Sequence, residues 1–272
     1  MNQTDAEQRS ALTVLLPVAV ALATTATLVV NYLANTLPIN GQTTGEVTRR
    51  VDVYFVPAGY VFSIWSVIYA GLIAFSVYVF LALAKGRADS GAARAIAPWY
   101  LLTAAANCGW LFAWHHNAFP LSMLVMLVLL STLIVIYRLQ AARPATSTLE
   151  LWTVHIPFRG YLGWISVATI ANATITLDDA GWAGFGLSEP AWGAIMVVAA
   201  AGLGVLMALR HSDITFILVL VWALVGIAVR LSETTPVLVA ALAGAAVLVA
   251  AVVVVALRRN RSEPAAARRR QS

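Results

Sequence analysis

The sequence predicts an all-α integral membrane protein with about eight transmembrane helices. Of its 272 residues, 61% are hydrophobic and only 11% are charged, whereas about 25% of the residues of a soluble domain carry a charge. So few charges leave too little polar surface for a water-soluble fold. The apolar runs are also long and unbroken, while the strands of a membrane barrel are about 10 residues long and alternate in polarity.

Eight apolar segments are long enough to cross a bilayer, since a spanning helix needs about 20 mostly apolar residues. They are residues 11–35, 57–84, 95–117, 119–138, 152–177, 191–209, 213–231 and 236–257. The apolar part of the first segment is too long for a cleaved signal peptide, and the residues before it are barely basic.

Basic residues predict the orientation, because cytoplasmic loops are enriched in lysine and arginine. With both termini in the cytoplasm, the inner segments hold 13 basic residues, and the outer loops hold three, Arg49, Arg50 and Arg230. Six of the 13 lie in the C-terminal tail, residues 258–272. Such a tail favours contact with lipid headgroups over nucleic acid. We therefore expect a multi-pass protein of the cell (inner or plasma) membrane.

The chain is predicted to divide into two groups of helices and a tail. Residues 1–177 contain five spans, which hold most of the aromatic and polar intramembrane residues. Residues 178–257 contain three spans rich in Ala, Val, Leu and Gly, and small residues allow close helix packing. The loop "DDAGWAGFGLSEP" marks the boundary by its Gly, Pro and acidic residues, and residues 258–272 form a basic cytoplasmic tail.

Three predicted helices each carry a narrow stripe of aromatic and polar residues. Residues three, four, seven or eleven apart share one face of a helix. The stripes are Trp65, Tyr69 and Ser76 on the second helix; Trp99, Thr103, Asn107, Trp110 and Trp114 on the third; and Tyr161, Trp164, Ala168 and Asn172 on the fifth. If the stripes converge, they form an aromatic cavity with a few hydrogen-bonding groups, which is typical of a small-molecule pocket.

The same stripes have a second interpretation as ordinary packing between membrane helices. Tryptophan and tyrosine anchor helices at the membrane interface. Threonine and asparagine side chains form hydrogen bonds between helices. Spacing alone leaves both interpretations open.

Three segments resemble the tryptophan-rich sensory protein family (TspO/MBR), which includes the mitochondrial translocator proteins. "FVPAGYVFSIWSVIYA", "NCGWLFAW" and "GYLGWISVATIAN" are similar to the second, third and fifth helices of that family's five-helix bundle. The resemblance covers about residues 11–177, with three further helices after it. The chain departs from the family at Gly160, where proline is usual, at Tyr60, where tryptophan is frequent, and at Phe62, which precedes Trp65 by three residues rather than four.

The resemblance implies a membrane receptor, sensor or transporter that binds a flat apolar ligand such as a porphyrin. The expected ligand-binding residues are Trp65, Tyr69, Asn107, Trp110, Trp114, Tyr161, Trp164, Ala168 and Asn172. No cofactor is expected to be required, and porphyrin or haem would be bound as a ligand. The expected partners are a small apolar ligand, the lipid bilayer and a second copy of the chain in a homodimer, with no nucleic acid.

Two alternatives remain open, a secondary transporter of an unrelated small solute and a porphyrin-modifying membrane enzyme. Every Asp and Glu lies in a loop, a tail or the end of a span, which disfavours ion coupling through acidic residues at mid-membrane. No acid–base pair lies within a span, so a binding protein is favoured over an enzyme.

The histidines and Arg159 are weaker candidates for a site. His115 and His116 are expected at the outer end of the third helix and His155 at the inner end of the fifth. Since a bilayer core of about 30 Å separates these ends, we expect no haem site shared between them. A single His115 or His116 near the outer mouth could ligate or hydrogen-bond a ligand, although a histidine that forms hydrogen bonds with neighbouring groups of the protein is favoured. Arg159 lies about 160° from Tyr161 on a helical wheel, which predicts an inner-leaflet anchor or a contact with another helix.

The connection over residues 36–56, which includes Arg49 and Arg50, also has two interpretations. Long connections inside compact domains are often functional, so this one could form a lid over the outer mouth of the cavity. It could equally be a solvated connector.

Overall fold

The computed structural model of the chain describes residues 3–37, 39–49, 53–84 and 90–269, which form eight long helices. The helices are α1 (Gln3–Thr36), α2 (Ile64–Ala84), α3 (Ser90–His115), α4 (Phe119–Ala142), α5 (Ile156–Asp179), α6 (Glu189–His211), α7 (Ile214–Arg230) and α8 (Thr235–Arg269). Each coincides with one predicted span, and the all-α membrane fold class is confirmed. In the described ranges, β-type pairing is limited to an isolated bridge between Ile39 and Gln42.

Five of these helices are long and apolar enough to cross a membrane, namely α1, α2, α4, α6 and α8. Helix α7 is a shorter apolar helix of 17 residues. Helices α3 and α5 carry two of the three stripes, and their amide, hydroxyl and indole groups lower the mean hydropathy. The count of eight spans therefore stays a prediction.

Two short segments outside the long helices contribute residues to the site described below. A helix of six residues, Thr44–Arg49, lies in the connection between α1 and α2, and we call it the loop helix. Residues 56–63 lead into α2 and end in the 3-10 turn Gly59–Ser63, and we call them the entry segment. The side chains of Arg49 and Arg50 lie outside the described residues, and their role at the mouth stays a prediction.

The proline of α5 packs against α2. Pro157 is the second residue of α5, which directly follows the π-helical turn Leu151–His155. A Cβ added to Gly71 of α2 would lie 2.7 Å from the Cβ of Pro157, so only glycine allows the two helices to approach this closely. Gly160, where the resembling family usually has proline, faces Thr215 of α7 instead.

One apolar core runs through the helix bundle. Helices α1–α5 pack around Phe75 and Phe158, while α6, α7 and α8 pack on one another around Leu220 and Leu248. Helix α7 also contacts α5, and buried residues of both groups belong to one continuous cluster. The division at residues 177 and 178 stays a prediction about domain organisation, as does the separate tail, whose backbone continues α8 to Arg269.

Arg159 contacts the start of α7 and lines none of the three spaces described below. Its Nε atom lies 3.5 Å from Oδ2 of the buried Asp213, an ion pair that lacks the geometry of a hydrogen bond. Its guanidinium carbon also lies 6.0 Å from the centre of the Tyr137 ring. This arrangement matches the expected contact with another helix.

Candidate functional site

The three stripes converge on a small space between α2, α3, α4 and α5, which we call the aromatic cavity. Its volume is about 70 Å³. Seven of the nine predicted site residues line it: Trp65, Asn107, Trp110, Trp114, Trp164, Ala168 and Asn172. Thr44 and Thr48 of the loop helix also line it, so this helix covers the cavity as the lid interpretation expects.

A larger space opens beside the aromatic cavity, towards α1, and we call it the lateral cleft. Its volume is about 970 Å³, and Tyr69 lines it. The two spaces share Phe62, Trp65 and Trp110, together with parts of the loop helix and the entry segment. Since pockets for small molecules usually measure about 300–1,000 Å³, the aromatic cavity alone is too small, and a ligand would need the cleft as well.

Tyr161 lies behind the cavity and lines neither space, which differs from the position on the wall that its stripe predicts. It is only 1% exposed, and its hydroxyl accepts a hydrogen bond of 2.9 Å from Nδ2 of Asn107. Its ring meets Trp65 edge-on at 5.8 Å between centroids. Tyr161 therefore supports two residues of the wall.

Asn107 is fixed on both sides of its amide. Its Oδ1 accepts a hydrogen bond of 2.7 Å from Nδ2 of Asn31 on α1, while its own Nδ2 donates to Tyr161. All three residues are at most 4% exposed. Buried polar groups that are satisfied in this way rigidify a site, and Oδ1 retains one further lone pair for a ligand.

A second hydrogen-bond network fixes Trp110. Its Nε1 donates to Oδ1 of Asn172 at 2.7 Å, and Nδ2 of Asn172 donates to Ser122 at 3.0 Å and Thr176 at 3.2 Å. The Trp110 ring also stacks on Trp114, with centroids 5.3 Å apart. These contacts hold one wall of the cavity in place before any ligand arrives.

Two indole N–H groups of the cavity have no hydrogen-bond partner among the residues that the structure describes. The Nε1 atoms of Trp114 and Trp164 are buried and have no hydrogen-bond acceptor among the described residues. Both side chains are 3% exposed and line the aromatic cavity. A buried donor without an acceptor costs about 1–3 kcal/mol.

His115 anchors the lid and does not line either space. It is fully buried, its Nδ1 donates to the carbonyl of Leu111 at 2.7 Å, and its carbonyl accepts a hydrogen bond from Gln42. At the other end of the bundle, Nε2 of His155 lies 3.8 Å from Oε1 of Glu150. The part of the chain that the structure describes contains no group of three metal-ligating side chains.

A family model for "TSPO-like protein" matches residues 17–254. The chain belongs to the TSPO-like family. The match includes residues from all eight helices of this TSPO-like protein. It therefore extends beyond residues 11–177, the part of the chain over which the sequence motifs resemble the family. Its family and its apolar helices together make it a membrane protein. No curated protein and no solved structure matches the chain.

In this TSPO-like protein, α7 forms three hydrogen bonds with the backbone of the entry segment. Nε1 of Trp222 donates to the Val61 carbonyl at 3.0 Å, and Nη1 of Arg230 donates to the Val56 carbonyl at 3.1 Å. The carbonyl of Gly226 accepts a hydrogen bond of 3.0 Å from the Ala58 amide. A helix beyond the predicted five-helix core therefore positions a segment that lines the site.

Sequence reasoning missed the contributions of α1 and α4 to the site of the TSPO-like protein. Asn31 reaches Asn107 from α1, and Ser122 reaches Asn172 from α4. A signal for α1 was present, because Thr24, Thr27, Asn31 and Asn35 follow spacings of three, four and four. The stripe on the fifth helix has the same spacing, which places these four side chains on one face of α1.

Proposed function

We propose that this TSPO-like protein is a membrane sensor or transporter that binds a flat apolar ligand, such as a porphyrin. The observation that carries the proposal is one cavity lined by four tryptophans, two of which have buried indole N–H groups without an acceptor in the described part of the chain. Aromatic rings stack on a flat ligand. An acceptor atom on the part of the ligand that enters the cavity would accept hydrogen bonds from the two indoles.

The charges around the two spaces support an apolar ligand with an anionic edge. None of the described residues that line the aromatic cavity is charged, which suits an apolar body. Arg230 is the one basic residue among those described along the lateral cleft. A ligand whose ring lies against the cavity would therefore direct its carboxylates into the cleft.

The described lining of both spaces lacks carboxylates, which supports a ligand-binding protein over an ion-coupled transporter of another solute or a porphyrin-modifying enzyme. Neither the aromatic cavity nor the lateral cleft has an Asp or Glu among its described lining residues. Ion-coupled transporters and acid–base enzymes rely on such groups at the site. The buried Glu150 and Asp213 instead contact His155 and Arg159, away from both spaces.

The same proposal includes an orientation in the membrane. The excess of basic residues on one side supports a protein of the cell membrane with both termini in the cytoplasm. The loop helix and the aromatic cavity then lie in the outer half of the bilayer. A homodimer is part of the proposal as an expectation from the family.

Protoporphyrin binding to the purified protein in detergent tests the proposal. We expect the porphyrin absorbance band to shift on binding and tryptophan fluorescence to be quenched. Trp164→Phe keeps a ring but removes one indole N–H, so we expect affinity to fall about 5- to 10-fold, since one hydrogen bond contributes about 1–1.5 kcal/mol.

Trp99→Phe is the matched control, because Trp99 belongs to the α3 stripe but lines neither space. Its affinity should equal that of the wild type. Absence of protoporphyrin binding by the wild-type protein, or equal affinities of all three proteins, would contradict the proposal.

A further inference from the structure

A third space lies on another face of α5, where this helix is followed by the loop of residues 180–188 and by α6. Its volume is about 500 Å³. It shares no lining residue with the aromatic cavity or the lateral cleft. We call it the α5–α6 groove.

Aromatic rings form one wall of the α5–α6 groove. The rings of Trp182 and Trp192 lie 4.9 Å apart at an angle of 56°, and Tyr54 lines the groove from the segment before the entry segment. Nε1 of Trp192 donates to the carbonyl of Gly184 at 2.7 Å. A Cβ on Gly184 would lie 2.9 Å from that nitrogen, and its φ of +61° also favours glycine, so the loop is built to hold this ring.

The charge of the groove is negative. Asp178, in the last turn of α5, and Glu189, in the first turn of α6, both line it. None of its described lining residues is basic. The faces of aromatic rings also carry partial negative charge, so the carboxylates and the rings attract the same kind of group.

We infer that the α5–α6 groove binds an organic cation, a quaternary or protonated amine attached to an apolar body. Cations over tryptophan and tyrosine rings are held by cation–π attraction, and quaternary ammonium groups are recognised by cages of such rings. Leu177, Leu187 and Met196 line the remainder and suit the apolar body. Inorganic divalent cations instead need several oxygen ligands, and the described residues include no group of three His, Cys, Asp or Glu side chains that could hold a metal ion.

Calorimetric titration of the full chain in the non-ionic detergent dodecyl maltoside tests the inference, with benzyltrimethylammonium as the probe. Neopentylbenzene has the same shape without the charge, and we expect it to bind at least about 10-fold more weakly. The double substitution Asp178→Asn with Glu189→Gln should weaken binding of the cation about 10-fold, and Trp182→Leu should weaken it about 5-fold.

Asp179→Asn is the control, because this carboxylate is adjacent in sequence but does not line the groove. Its affinity for the probe should be unchanged. Protoporphyrin binding should also be unchanged in the double variant, which shows that the variant is folded and that the two sites are separate. Equal binding of the charged and neutral probes, or unchanged binding by the double variant, would overturn the inference.

Competition identifies the source of the cation. Displacement of the probe by phosphatidylcholine, but not by phosphatidylglycerol, would assign the groove to a quaternary lipid headgroup. Binding of the probe that neither lipid displaces would assign it to a free organic cation. Both results support the inferred chemistry.

Discussion

Replacement of Trp110 with alanine is expected to lower the affinity for protoporphyrin by about 10- to 100-fold. This side chain lines both the aromatic cavity and the lateral cleft, stacks on Trp114 and donates to Asn172. Truncation of such an anchor commonly costs about 2 kcal/mol or more, and each 1.4 kcal/mol corresponds to about 10-fold in affinity. A titration followed by porphyrin absorbance measures the effect.

Two further variants separate loss of the ligand contact from loss of the fold. Trp99→Ala removes a tryptophan from the same helix, at a position that is 39% exposed and outside both spaces, and should bind like the wild type. Trp110→Phe keeps a ring but leaves Asn172 without its indole donor, and should have an intermediate affinity. If Trp110→Ala binds protoporphyrin as tightly as Trp99→Ala, the aromatic cavity is not the binding site.

The second large effect is expected at Gly226, which contacts no ligand space. A Cβ at this position of α7 would overlap the side chain of Val61 in the entry segment. Overpacking of this kind costs about 1–3 kcal/mol, and the strain should displace the entry segment that carries Phe62. We expect Gly226→Ala to lower protoporphyrin affinity about 10-fold and to lower the melting temperature.

Gly202→Ala on α6 is the matched control for Gly226→Ala. Nothing lies within 4 Å of a Cβ added at Gly202, so affinity should stay at its wild-type value and the melting temperature should not fall, because alanine favours the helix over glycine. Trp222→Phe removes only the hydrogen bond to the Val61 carbonyl, and a smaller loss of affinity is expected. Wild-type affinity in Gly226→Ala would show that α7 does not position the site.

The helices were predictable because each depends on a local property of the chain. The length of each apolar run indicates a spanning helix, and stripes at helical spacing indicate which residues share a face. The stripes place Trp65, Trp110 and Trp164 on three separate helices, and all three line the aromatic cavity. They also place Tyr161 on the wall, because helical spacing does not tell whether a residue faces a cavity or the neighbouring helix.

The contacts that join distant parts of the chain could not be predicted from local spacing. Trp222 and Val61 are 161 residues apart, and Arg230 and Val56 are 174 residues apart. Neither pair has a sequence pattern that connects its members. The role of α7 at the site therefore follows only from the packing of α7 against the entry segment.

The central claim is that the ligand occupies the aromatic cavity, and protection of an introduced cysteine tests it most directly. In a chain with Cys108→Ala, cysteine is placed at Ala168, which lines the aromatic cavity, or at Ala173, which lines the α5–α6 groove. The rate of modification by methyl methanethiosulfonate is then measured with and without protoporphyrin. We predict that protoporphyrin slows modification of Ala168→Cys and leaves Ala173→Cys unchanged, whereas an unchanged rate at position 168 under saturating protoporphyrin would contradict the claim.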